Sequence, residues 1–155
     1  MLDDSTIKQD ILEVSQPSPL SGILASPELI KEFIQRGRTL TFPRTAVLFR
    51  QGESATRVYL VISGAVALTL PFSTSHAIGF IAENGSIVGV PAAFGNQPYS
   101  MTGVVVARSE LIAIEAEEFC KMIASDPVLS LNVLKILAAE TRAARMAIAE
   151  AATAF

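Results

Sequence analysis

The segment "GSIVGVPAAFGNQPYSMTGVVV", from Gly85 to Val106, combines residue types that could bind an anion through the backbone. Gly85 and Gly89 stand four residues apart, and the short run Pro91-Ala92-Ala93-Phe94 follows them. Glycine-led turns can present several backbone N–H groups to one phosphate or carboxylate. The segment nevertheless contains no Lys, Arg, Asp or Glu. Its chemistry is therefore that of a phosphate cradle without a charged partner.

Residue types that support catalysis are sparse. His76 is the single histidine and Cys120 the single cysteine. Metal-dependent barrel enzymes need several His ligands and a carboxylate, and a serine nucleophile needs a nearby base. We therefore predict no catalytic residue, no metal site, no cofactor and no enzymatic activity. His76 is interpreted as a turn residue rather than a haem or metal ligand, and Cys120 as a core thiol rather than a redox centre.

Composition and charge narrow the function classes. Half of the 155 residues are hydrophobic, 17% are charged, the net charge is −3 and the pI is about 5.2. These values predict a folded domain without the positive field that favours nucleic acid. The spaced arginines at positions 36, 38, 44 and 50 are interpreted as a solvated face. We predict a cytoplasmic protein, because the chain has one cysteine and a polar N-terminus. Its apolar runs are too short to span a membrane, so no membrane partner is expected. No basic patch is visible, so no direct DNA binding is expected either.

The periodicity changes twice along the chain. Residues 1–25 are interpreted as an N-terminal arm, and residues 26–127 as a β-roll with flanking helices that begins with a helix capped by Ser26. From Thr39 to Ile114 short alternating runs recur, with Ser63-Gly64 and Arg108-Ser109 interpreted as tight turns. Many short, evenly spaced strands predict a mainly β fold with flanking helices, a double-stranded β-helix or jelly roll.

Residues 128–155 predict one long helix, because this stretch has no Gly or Pro and is rich in Ala. Two interleaved series of residues, each with members seven positions apart, form the a/d seam of a coiled coil, which predicts a homodimer. The alternative is a helix lying against its own barrel, but the distal half is expected to extend beyond a domain of this size. The predicted dimer interface comprises Leu134, Leu137, Thr141, Ala144, Ile148, Ala151 and Phe155.

The string "FPRTAVLFRQGESATRVYLVISGAVAL" resembles the effector domain of catabolite-activator-type (Crp/Fnr) regulators and the wider cyclic nucleotide-binding domains. The matching features are Gly52-Glu53 after a strand, Gly64 within "VYLVISGAVAL", and the Gly85 and Gly89 pair. "FCKMIASDPVLSLNVLKIL" is similar to the segment that leads into the dimerisation helix of that family. The resemblance spans roughly residues 20 to 155. It implies a jelly roll with a long C-terminal dimerisation helix, and no helix-turn-helix domain is expected before Phe155.

The resemblance also implies where a ligand would bind and which ligand-binding residues of the family are replaced in this sequence. In the family a Glu follows the second glycine and binds the ribose, and an Arg about nine residues later pairs with the phosphate. Here Val90 and Tyr99 stand at those positions, and Pro91 has no N–H to donate. A charge-assisted phosphate pair contributes about 1.5–3 kcal/mol. The candidate pocket residues are Val88, Gly89, Val90, Pro91, Ala92, Tyr99, Ser100 and Thr102.

We therefore expect a regulatory or sensor-like domain with a degenerate pocket that does not bind cyclic AMP or cyclic GMP tightly. The pocket is either filled by its own side chains or open to a small, mostly uncharged effector of unknown identity. The alternative is a genuine receptor with a rearranged site, using Arg108, or Arg142 of the partner subunit. A barrel enzyme is the third hypothesis.

Overall fold

The computed structural model describes residues 18–19, 24–71, 74 and 77–154. Most of the predicted arm at 1–25, together with His76 and Phe155, lies outside these residues, so their predicted roles are not tested. The described elements, in chain order, are β1 (Ser18–Pro19), α1 (Pro27–Arg36), β2 (Arg38–Phe42), β3 (Val47–Phe49), β4 (Arg57–Pro71), β5 (Ala77–Ala82), β6 (Ile87–Val88), α2 (Val90–Gly95), β7 (Thr102–Glu115), α3 (Ala116–Ala124) and α4 (Pro127–Ala154).

The first helix forms where its capping residues predict it. The Ser26 hydroxyl accepts the N–H of Leu29 at 3.2 Å, and Pro27 occupies the first turn, where no N–H is needed. Leu29 and Phe33 are fully buried one turn apart. The helix therefore packs through one apolar face onto the strands.

Seven strands form one sheet in the order β1-β5-β4-β7-β2, with β3 pairing to β7 and β6 to β4. The central pair, β4 and β7, is antiparallel from Arg57–Glu115 to Thr69–Thr102. With the long helix α4 after α3, this arrangement confirms the predicted mainly β jelly roll with flanking helices and a long C-terminal helix.

The predicted turns at Ser63-Gly64 and Arg108-Ser109 are wrong. Both lie within the long strands β4 and β7, where the register shifts between Val61 and Val66. Gly64 has φ +93°, and a Cβ there would meet the Ser109 hydroxyl and stand 2.6 Å from the Arg108 carbonyl oxygen. The pair is thus a bulge, which bends two long strands without ending them.

The two faces of β4 belong to different hydrophobic clusters. Tyr59 and Val61 belong to a cluster inside the roll, here called the roll-interior cluster, whose other members include Phe49, Leu68, Phe80, Tyr99 and Leu111. Val58 and Leu60 belong to a cluster beneath the helices, here called the helix-side cluster, whose other members include Leu29, Phe33, Ile112, Phe119 and Ile136. Because alternate residues of a strand face opposite sides, β4 is buried on both faces in its first half.

The long helix α4 contacts both clusters. Its first half contributes Leu129, Val133 and Ile136 to the helix-side cluster. Its second half packs a row of alanines against the roll-interior cluster: Ala143, Ala144, Ala147 and Ala151. The expectation that the distal half extends beyond the domain is therefore wrong, because small side chains let this helix lie close against its own roll.

Among the described helices, no single one is long and apolar enough to cross a membrane. Ala116–Ala124 and Pro127–Thr153 meet the length and composition of a span only when taken together, and they are bent by 118° at the break between them.

Candidate functional site

The glycine-led turn at Gly89 lies between β6 and the short helix α2. Gly89 has φ +98°, a conformation that side chains disfavour. A Cβ there would stand 3.1 Å from the Arg57 carbonyl oxygen and 3.4 Å from the Tyr99 ring. The glycine is therefore required by the backbone conformation and by the close approach of β4, independently of any ligand.

A small cavity lies beside this turn, at the position predicted for the pocket. Its volume is about 30 Å³, which is room for about one or two water molecules. The walls come from five separate parts of the chain: Phe49, Leu68, Val88, Gly89, Pro91, Ala92, Tyr99, Ser100, Met101 and Glu140.

Tyr99 stands where the resemblance implies a phosphate-binding arginine, and it forms part of the cavity wall. Its ring stacks on Phe49 with centroids 3.9 Å apart and planes 15° from parallel. Its hydroxyl donates to the Arg57 carbonyl at 2.6 Å and accepts the Arg57 N–H at 3.1 Å. Its backbone N–H donates to the Glu53 carbonyl, and its carbonyl accepts the Gly52 N–H, both at 2.9 Å. The ring is therefore held in place from both ends.

Six of the eight predicted pocket residues line the cavity, and two do not. Val90 is fully buried but belongs to the helix-side cluster, so it packs away from the cavity. The Thr102 hydroxyl accepts the Gln51 N–H at 3.1 Å and does not line the cavity. Four lining residues were not predicted: Phe49, Leu68, Met101 and Glu140. Leu68 lies in an alternating run of β4, a signal that could have placed it on the inner face, whereas no local signal placed Phe49 or Glu140 beside the cavity.

Glu140 lies on α4, is half-buried, and is the one side chain with a formal charge in the described lining. Burial raises the pKa of its carboxyl from an ordinary 4.5 to about 8. Tyr99 is the other titratable group of the lining, and desolvation by burial is the main cause that raises its pKa. Arg108 and Arg142, considered above as alternative phosphate partners, are exposed and do not line the cavity in this chain. The cavity therefore offers a neutral or negative group where an anion would need a positive one.

The single cysteine lies at a different place, in an open groove of about 900 Å³ between α2 and α3. Its thiol donates to the Ala93 carbonyl, with sulfur and oxygen 3.6 Å apart. Desolvation raises the pKa of the Cys120 thiol, which lowers its thiolate fraction. Within the described part of the chain, no three His, Cys, Asp or Glu side chains are grouped to hold a metal ion.

The predicted dimer seam divides into two faces. Leu134 and Ile148 are 61% and 43% exposed, and Thr141 between them is also exposed. Leu137 packs against the helix-side cluster, while Ala144 and Ala151 pack against the roll-interior cluster. One half of the predicted seam is therefore free on the surface and the other half faces the chain's own roll. Phe155 lies outside the described residues.

A jelly roll that carries a glycine-led turn, a short helix and a long C-terminal helix defines the architecture of this domain. A family model described as "Cyclic nucleotide-binding domain" matches residues 39–126, more than half of the chain. The chain belongs to the cyclic nucleotide-binding domain family, which confirms the resemblance predicted from the glycines and from the string around Gly64.

Solved structures with this fold include regulators and one enzyme. The catabolite activator protein of Thermus thermophilus matches 82% of this chain with a TM-score of 0.69 and 23% identity. The c-di-GMP responsive global regulator CLP of Xanthomonas campestris matches 77% with a TM-score of 0.59 and 21% identity. A mutant form of a cAMP-binding acyltransferase of Mycobacterium smegmatis matches 72% with a TM-score of 0.59 and 22% identity. This chain spans 60%, 57% and 34% of their respective lengths, so each likeness concerns the fold of this region.

Proposed function

We propose that this chain is a non-enzymatic, regulatory effector domain of the Crp/Fnr type that has lost tight binding of cyclic AMP and cyclic GMP and dimerises through α4. The observation that carries the proposal is the cavity beside Gly89. Its space is taken up by the Phe49–Tyr99 stack, and Glu140 lines it where a phosphate would need a cation.

Charge opposes the binding of a cyclic phosphate in this cavity. No Lys or Arg belongs to the described lining, and β4 to β7 carry none between Val58 and Ala107. Without the arginine pair, a phosphate would lose about 1.5–3 kcal/mol of net interaction, one to two factors of ten in affinity. An ionised Glu140 beside the phosphate would weaken binding further.

The size of the cavity also opposes the binding of a cyclic nucleotide. A cavity of about 30 Å³ is far smaller than the roughly 300 Å³ at which ordinary ligand sites begin. A purine nucleotide would have to separate the Phe49–Tyr99 stack and break the hydrogen bonds between Tyr99 and Arg57. The free energy that this rearrangement costs would make the net free energy of binding less favourable.

The exposed face of α4 supports dimerisation. Leu131, Leu134, Thr141 and Ile148 follow one another at intervals of three and seven residues and remain exposed. This spacing produces a straight apolar strip on a helix. We propose that a second copy covers it, in a register that uses the exposed half of the predicted seam and not the half that faces the roll.

Other features support a regulatory domain outside membranes and without direct DNA contact. The surface arginines Arg36, Arg50 and Arg57 each lie within 4 Å of a glutamate carboxylate, which reduces any positive patch. One cysteine cannot form an internal disulfide, which fits the reducing cytoplasm. The acyltransferase shares only the roll, and no cluster of catalytic groups is present among the described residues of this chain.

A second candidate function is that of a genuine receptor with a rearranged site. It is favoured by the membership of the family and by CLP, a neighbour of the same fold described as c-di-GMP responsive. Such a receptor would need Tyr99 to move and a cation to enter from elsewhere, such as Arg108 or the partner's Arg142.

Isothermal titration calorimetry separates the two functions. We expect no binding of cyclic AMP, cyclic GMP or cyclic di-GMP at micromolar concentrations, with the protein shown to be folded by thermal unfolding before each titration. Binding at micromolar affinity or tighter would contradict the proposed function and support the receptor.

A further inference from the structure

The Glu140 carboxyl is unexplained by any role described so far. It projects from α4 into an apolar cavity, between the residues that contact the helix-side cluster and those that contact the roll interior. No hydrogen bond or ion pair joins it to another described residue. We propose that this cavity binds a small organic cation, an ammonium group, with the Glu140 carboxylate as its counter-ion. The inference rests on the proposed loss of cyclic-nucleotide binding at the same place.

The charges around Glu140 favour a cation. Among the described lining residues, the roll contributes Tyr99 as the only other titratable group, and the Gly89 turn contributes none. The basic residues of α4 near Glu140, Lys135, Arg142 and Arg145, are exposed and absent from the lining. Burial keeps the carboxyl protonated at neutral pH, so its pKa of about 8 is that of an acid without a counter-charge. An ammonium ion in the cavity would supply that charge and displace the proton.

The aromatic residues favour the same ligand class. Phe49 and Tyr99 both line the cavity as a stacked pair, and the ring centroid of Tyr59 lies 6.4 Å from that of Phe49. Aromatic faces attract ammonium groups through the ring quadrupole, most strongly where water is excluded. A carboxylate beside aromatic rings is therefore suited to an amine and unsuited to a phosphate.

The dimensions limit the ligand to a small head group. The cavity of about 30 Å³ accommodates an ammonium or methylammonium ion without separation of the stacked rings. Pro91 and Ser100 are lining residues that are also exposed, so the cavity reaches the surface between α2 and the segment before β7. Any larger part of the ligand would extend outward there.

Nuclear magnetic resonance of the ¹³C-labelled Glu140 carboxyl, with methylammonium chloride as the probe, tests the proposal. We expect a saturable shift of the carboxyl signal, and an affinity about tenfold higher at pH 9 than at pH 7, because a group with a pKa of about 8 is mostly ionised only at the higher pH. Sodium chloride at equal ionic strength should not reproduce the shift. Tetramethylammonium, which is too large for a cavity of about 30 Å³, should bind at least tenfold more weakly.

Two glutamine variants complete the test, with binding followed through backbone amide shifts. Glu140→Gln should abolish methylammonium binding at both pH values, whereas Glu150→Gln, at an exposed carboxyl of the same helix, should leave it unchanged. The inference is overturned by the absence of saturable binding at pH 9, by binding that survives Glu140→Gln, or by equal binding of tetramethylammonium. Failure here together with no cyclic-nucleotide binding leaves the proposed function standing, whereas calorimetric binding of cyclic AMP overturns both.

Discussion

At the scale of single residues, the described lining of the cavity beside Gly89 holds no positively charged side chain. The resemblance implied that an arginine would be replaced by Tyr99, and the structure adds that Glu140 enters the same cavity from α4. Tyr99 is held by Arg57 through backbone atoms only, because the Arg57 guanidinium lies 3.5 Å from Glu115 outside the cavity. The hydrogen bonds that hold Tyr99 in the cavity wall therefore use backbone atoms and bring no positively charged side chain into the described lining.

The buried carboxyl makes stability depend on pH. Because the folded-state pKa of Glu140 is raised from 4.5 to about 8, the folded chain holds a proton that the unfolded chain releases between these values. The free energy of unfolding should therefore fall as pH rises from about 5 to 8. Glu140→Gln should match the wild type at pH 5 and exceed it at pH 9 by on the order of 2–4 kcal/mol, measured by urea unfolding. Glu150→Gln should show no such pH-dependent gain in stability over the wild type. Equal stability of Glu140→Gln and the wild type at pH 9 would contradict the burial of the Glu140 carboxyl.

The bulge glycine should tolerate substitution less well than a glycine of the same backbone conformation in open space. Gly52 and Gly64 have φ near +90°, but a Cβ at Gly52 meets nothing within 4 Å, whereas one at Gly64 meets β7. Gly52→Ala should cost about 1 kcal/mol of unfolding free energy, from the backbone alone. Gly64→Ala should cost at least about 2 kcal/mol more, because Ser109 and Arg108 must move. Equal losses in chemical denaturation would show that the strands at the bulge separate freely.

At the scale of elements, β4 and β7 show why local turn signals were misread. A Ser-Gly pair between two alternating runs is compatible with a hairpin turn or with a bulge, since both place glycine at positive φ. The difference lies in the partner strand: Ser63 pairs with Glu110, and Ala65 with Ala107, so the neighbour β7 continues past the glycine. Sheet pairing over long sequence separation decided the outcome.

The exposed strip of α4 should control the oligomeric state. Leu134→Glu combined with Ile148→Glu should convert a dimer at tens of micromolar into a monomer in sedimentation velocity, because charges would be buried without partners in the seam. Ile34→Glu changes an apolar side chain that is similarly exposed, at 62%, on α1, and should leave the dimer intact. A wild type that is already monomeric at this concentration would refute the seam.

At the scale of the whole molecule, α4 joins the two hydrophobic clusters. It packs beneath the helices in its first half and against the roll in its second, and Glu140 stands where the two contacts meet. Any ligand or proton taken up by Glu140 therefore acts on the element that carries the proposed dimer seam. This arrangement gives the pocket a physical connection to the surface on which a second copy would bind.

Docking of the distal half of α4 can be tested with two aspartate variants. Ala144 packs against the roll-interior cluster, whereas Ala149 is exposed on the same helix. Ala144→Asp should lower the free energy of unfolding by about 2–3 kcal/mol, because it places a charge against an apolar cluster. Ala149→Asp should change it by less than about 1 kcal/mol, which is the cost in helix propensity. Similar small effects of both variants would indicate that this half of the helix does not dock.

Sequence alone determined the class of fold, the bounds of the first helix, the start of the last helix, and the turn at Gly89. Capping residues, alternation and glycine spacing are local properties, and each restricts the backbone directly. It also predicted, from position, that Val90 and Tyr99 stand where the family has its two charged ligand-binding residues, and this replacement stays a prediction.

The tertiary structure decided which residues share a cavity and which face of α4 remains exposed. Val90 was predicted to line the pocket but does not line the cavity, whereas Glu140 does. Ala144 and Ala151 were predicted to lie in the dimer seam but pack against the roll. These outcomes depend on how a helix packs against strands distant in sequence, and heptad spacing describes only the angles between side chains on a helix. The rest of the fold decides what each side of the helix contacts.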